Sequence, residues 1–172
     1  MIDIIKPNEF GKISSKAILE FEKQIGFSLP KNYSDFLKAN NGGQPKLDTI
    51  TVNIEKENQL WSLKYFFGLH NKEYWASMFS TLKSLKNRIP TEFLPIANDG
   101  GGNFYIINLS KENFGKIYFW NHNNESENSG NKFYGNIIPL FDSFLELTES
   151  LIKDVRDIEI KIVETDDEFI IE

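Results

Sequence analysis

Between Ser14 and Gly26, apolar side chains at Ile18, Leu19 and Phe21 predict a helix capped by Ser14 and ended by Gly26. Ile13, just before the cap, can staple against Ile18. The segment LPKNYSDFLKANNGG, from Leu29 to Gly43, predicts a second helix: Pro30 suits the first turn, and Tyr33, Phe36 and Leu37 share one face. Asn40, Asn41, Gly42 and Gly43 stop it, because asparagine and glycine best tolerate a left-handed exit.

The period then changes. Ile50, Val52 and Ile54 alternate with polar residues from Asp48 to Ile54, which predicts a half-buried strand, and a second strand is expected over Leu60–Gly68. Trp75, Met78, Phe79, Leu82 and Leu85 predict a longer helix from about Glu73 to Arg88, closed by Pro90. FLPIA, NFYIINL and KIYFW follow as β-rich stretches joined by NDGGG and SKENFG, the composition of hairpin connections, so a meander is expected. Asn121–Asn131 reads as a mobile hairpin tip, KFYGNIIPL as a further strand, and Asp142–Lys153 as a helix capped by Asp142. IEIKIVE and the acidic residues after it predict a terminal strand or hairpin over 157–172. Together these segments predict an α+β fold, with helices packed on one mixed or mainly antiparallel sheet, and a single domain over 1–172.

Composition narrows the role. With 172 residues and 40% hydrophobic content the chain can bury a core, and with no cysteine it has neither disulfides nor thiol chemistry. No apolar run approaches the roughly 20 residues that span a bilayer, so a cytoplasmic protein without a membrane partner is expected. The net charge of −6 is concentrated in residues 157–172, where seven carboxylates face Lys161 alone. Such a segment repels nucleic acid and speeds association with basic partners.

The candidate chemistry points to binding. Gly100–Gly102 precede a strand, whereas a phosphate loop or dinucleotide fingerprint needs a helix after its glycines. His70 and His122 are the only histidines and have no carboxylates at ligand spacing, so neither a metal nor another cofactor is expected. No nucleophile elbow accompanies the serines. Asp99 with Glu55 or Glu57 is the remaining acid/base pairing, although an Asp before Gly more commonly serves a turn. Trp61, Trp75 and Trp120 lie in apolar patterns that suit a core, but Trp120 borders a polar loop and is a candidate anchor for a partner.

The order of LPKNYSDFLKANNGG, LWSLKYFFGL, PIANDGGGNFYIINL, GKIYFW and FDSFLELTESL resembles the SUKH superfamily, which includes bacterial immunity proteins and a fungal regulator of cell-wall synthesis. The resemblance covers most of the region from Ser14 to Lys153. It implies an α+β fold and a non-enzymatic antidote that binds a polymorphic or contact-delivered toxin, often a nuclease, and occludes it stoichiometrically. The charge of the tail independently suits a basic toxin surface. On that basis Glu164, Asp166, Asp167 and Glu168 are expected contacts, with Asp99 or Trp120 contributing from the sheet edge. A protein-binding scaffold or regulatory module is the alternative.

Overall fold

The computed structural model describes residues 2–54, 56–125 and 135–153. Its elements are α1 (Ser15–Ile25), α2 (Lys31–Asn40), β1 (Thr49–Ile54), β2 (Glu57–Ser62), β3 (Tyr65–Phe66), α3 (Met78–Ser84), β4 (Phe93–Asn98), β5 (Phe104–Asn108), β6 (Ile117–Trp120), β7 (Ile137–Phe141) and α4 (Phe144–Glu149). Strands β3 to β7 form a five-stranded antiparallel meander in chain order, and β1 and β2 form a separate antiparallel ribbon. The fold is α+β, but with a ribbon set beside the sheet instead of one continuous sheet. A change of partner divides the strand expected over Leu60–Gly68. Leu63 donates to the Asp48 carbonyl (2.7 Å) on the ribbon side, whereas Lys64 donates to the Asn98 carbonyl (2.8 Å) of the sheet.

Both early helices form where their caps predict. The Ser14 hydroxyl accepts from the Ala17 amide (3.2 Å), and Gly26 leaves α1 at φ 78°. Leu19, however, faces solvent, and Ile18 and Phe21 carry the buried face of α1. Helix α2 inserts Tyr33, Phe36 and Leu37 into the core, where Phe36 lies 5.0 Å from Phe66 and 5.2 Å from Phe144, ring to ring. Burying each such side chain contributes on the order of 1.5–3 kcal/mol. At the end of α2 the chain passes so close to the sheet that a Cβ on Gly42 would stand 2.6 Å from the Phe66 carbonyl oxygen, and one on Gly68 would stand 2.2 Å from that of Asn41. Only glycine permits this backbone contact. Asn41 locks it, accepting from the Leu69 amide (2.8 Å) and donating to the Gly11 carbonyl (2.7 Å).

The helix expected over Glu73–Arg88 begins only at Met78. Ser77 interrupts the pattern: its hydroxyl donates to the His70 carbonyl (2.5 Å) and accepts from the Ser80 amide (3.3 Å), which fixes the helix start. Tyr74–Ala76 before it form a 3-10 turn. Helix α4 is capped by Ser143 rather than Asp142, because Ser143 accepts from Glu146 N while the Glu146 carboxylate reaches back to the Asp142 amide (2.8 Å). It ends at Glu149, and Ile152 then exchanges two backbone bonds with Thr49 of β1 (2.8 and 3.2 Å). The tip expected over Asn121–Asn131 opens with a 3-10 turn at His122–Asn124, and its residues 126–131 lie outside the described residues. So does the strand or hairpin expected at 157–172.

Candidate partner-binding surface

The residues expected to touch a partner have different fates. Asp99 sits in the β4–β5 turn, where one carboxylate oxygen accepts from the Gly101 amide (2.7 Å) and the Asn103 amide (3.0 Å), and the other accepts from the Asn103 side chain (2.6 Å). Three donors on one carboxylate make it the organiser of the turn. Because the Asn103 amide nitrogen faces that acceptor-only carboxylate, its oxygen must face His122. That oxygen accepts from the His122 backbone (3.0 Å) and lies 2.8 Å from Nδ1, so the imidazole carries its proton on Nδ1. Glu57, one possible acid/base partner, stands on the separate ribbon, and Glu55 lies outside the described residues.

Trp120 corrects an expectation. It is fully buried, packed with Leu85, Ile89 and Ile106 in a satellite core and stacked 5.6 Å from Phe104. The Arg88 guanidinium lies 4.9 Å above its ring and forms a bidentate pair with Glu125 (2.9 and 2.6 Å), which holds the Glu125 carboxyl below its ordinary range. Trp120 therefore supports the sheet and presents no face to a partner. Glu164, Asp166, Asp167 and Glu168 lie outside the described residues.

The structure adds an aromatic surface that the periodicity hid. Because Ser77 restarts the helix, Tyr74 and Trp75 sit on the preceding turn and remain 80% and 45% exposed. Trp75 is propped edge-on by Tyr65 at 4.8 Å and by Phe10 at 6.1 Å, and Phe10 covers His70 at 4.4 Å. Burial holds the His70 imidazole below its ordinary value. Grooves of about 430 and 410 Å³ flank the platform and share Trp75 and Asn98. The first runs past Ile5, Lys6 and Lys64, and the second past Thr81, Gly100 and Phe104. Ser77, a capping residue inside an apparently continuous helical stripe, was the sequence mark of this platform.

In chemical terms this is a recognition surface, with aromatic rings held beside the Asp99 turn, whose carboxylate is hydrogen-bonded, and over His70, whose buried Nε2 has no hydrogen-bond partner. Among the described residues, no group of three or more histidine, aspartate or glutamate side chains gathers as metal ligands, and no helix is long and apolar enough to cross a membrane. Residues 12–150 match the SMI1 / KNR4 family (SUKH-1). The chain belongs to this family. The SPbeta prophage-derived uncharacterized protein YokK of Bacillus subtilis (strain 168) is 30% identical over 124 residues, which is 63% of this chain. The chain spans 62% of that relative's length. SUKH proteins are immunity or regulatory proteins that generally bind protein partners. Tyr74, Trp75 and the Asp99 turn fall inside the SUKH-1 match, and the acidic tail falls beyond it.

Proposed function

We propose that this SUKH-1 protein is a cytoplasmic immunity protein that binds a cognate bacterial toxin, of the polymorphic or contact-delivered kind, and neutralises it by one-to-one occlusion. The observation that carries the reading is the Tyr74–Trp75 platform. Exposed tryptophan and tyrosine between grooves are the residues on which protein interfaces concentrate their energy. The hydrogen-bonded turns beside the platform reduce the ordering cost of binding. The carboxylates of 157–172 suit a basic toxin such as a nuclease and would act chiefly on the association rate, with Glu164, Asp166, Asp167 and Glu168 as the steering groups.

An immunity protein is expected to be encoded beside a large secreted protein with a variable C-terminal domain, and calorimetric titration into an inactivated C-terminal domain of the protein encoded immediately upstream tests this reading. Tight one-to-one binding is expected, and replacing Asp166, Asp167 and Glu168 together with alanine should slow association and flatten its salt dependence. If two folded proteins give no binding, the antidote reading is overturned in favour of a regulatory module.

A further inference from the structure

The two grooves beside Trp75 differ in charge. Lys6, Glu9 and Lys64 line the first, where Lys6 stands 3.6 Å from Glu9 and Lys64 pairs with Asp48. Among the described residues that line the second, of about 410 Å³, none is charged at neutral pH. Tyr74, Trp75 and Phe104 give it aromatic walls, with the buried Phe67 as a further apolar contact. Its polar groups are partly committed. The Thr81 hydroxyl donates to the Ser77 carbonyl (3.0 Å) and the Ser84 hydroxyl to that of Thr81 (2.8 Å), so toward an occupant both oxygens can only accept. Asn98 accepts from the Gly100 amide through Oδ1 (3.2 Å), which leaves its Nδ2 to donate.

We infer that the second groove seats a tyrosine side chain of the protein partner. The inference rests on the partner-binding reading of the platform and names what the platform grips. An aromatic ring suits walls made of rings, because edge and face contacts add to the area buried. A phenol hydroxyl both donates and accepts, so it matches the Thr81 and Ser84 oxygens as well as the Asn98 amide. A lysine, arginine, aspartate or glutamate would be stripped of water there with no counter-charge, and a phenylalanine would leave the lining polar groups without a partner. Charged side chains of the partner are thereby directed to the first groove.

N-acetyl-tyrosine amide, titrated into the isotope-labelled full chain and followed by amide and indole NMR signals, is the test. It should shift Trp75, Ser84, Gly100 and Gly102 saturably at millimolar concentration and leave Ile5 and Gln44, on the first groove, unmoved. N-acetyl-phenylalanine amide should bind at the same residues roughly three- to tenfold more weakly, and N-acetyl-lysine amide should leave them unshifted. Ser84→Lys, at an exposed position, should weaken the tyrosine probe about tenfold or more without changing thermal unfolding. The inference is overturned if the tyrosine probe leaves these signals unmoved, if the phenylalanine or lysine probe binds as tightly, or if Ser84→Lys binds like the parent. It is equally overturned if methyl glucoside shifts the same signals at lower concentration, since a sugar would then be the occupant. A chain that takes the tyrosine probe in this groove but no toxin domain would support this inference while overturning the antidote reading.

Discussion

The Trp75 platform and the apolar slot of about 200 Å³ between α2 and α4, lined by Ile2, Phe36, Ala39, Phe144 and Leu145, differ in what holds them. Around the platform, the Asp99–Asn103–His122 network and the Asn41 bonds to Leu69 and Gly11 fix the neighbouring turns. The slot is a gap between helices of ten and six residues. Volume alone cannot rank two such surfaces. A surface supported by hydrogen-bonded turns binds a partner at less ordering cost than an apolar gap between short helices.

That contrast can be broken in order of expected effect. Trp120→Ala should cost about 3–5 kcal/mol in denaturant unfolding, because it hollows the satellite core beneath the sheet, with partner affinity of the folded fraction nearly unchanged. A large loss of affinity with intact stability would return Trp120 to the interface. Trp75→Ala should do the reverse, weakening the partner complex by about 2 kcal/mol or more, roughly thirtyfold, with little change in thermal unfolding. If its affinity survives, the platform is decorative.

Asp99→Asn places an amide against the Asn103 amide and should destabilise by about 1–3 kcal/mol in the same unfolding assay, with a smaller loss of partner affinity than Trp75→Ala. The smallest expected effect is a pH dependence. Buried His70 binds its proton less readily in the folded chain than its ordinary value of 6.5 allows, so the unfolded chain protonates first. This contribution to stability is complete above about pH 6.5 and is lost as pH falls toward the lowered native value, with a slope of at most about 1.4 kcal/mol per unit. Comparing unfolding at pH 7.5 and 5.5 with that of His70→Gln reads it directly: the variant should flatten the difference, and an identical slope would remove His70 as its source.

Where local chemistry decides structure, the sequence was readable. Ser14, Gly26 and Asn41 bound α1 and α2 through their own caps and backbone preferences, and the glycine cluster after Asp99 turns β4 into β5. Long-range contacts decided the rest. The IYFW run of β6 is apolar on both sides, so alternation could not place Trp120; Leu85 and Ile89, from the turn beyond α3, bury it. Conversely, Trp75 fits a helical period that Ser77 cuts: the capping residue itself was legible, but its bond to the His70 carbonyl was not. The ribbon separated from the sheet for a similar reason, since the change of partner at Leu63 and Lys64 is set by Asp48 and Asn98.

The most direct measurement is amide hydrogen exchange on the complex with the inactivated toxin domain, compared with the free protein. The platform reading expects new protection at Tyr74–Ser77 and Gly100–Gly102, with exchange across α2 and α4 unchanged. Protection concentrated on α2 and α4, with the Trp75 turn exchanging as it does in the free protein, would contradict it.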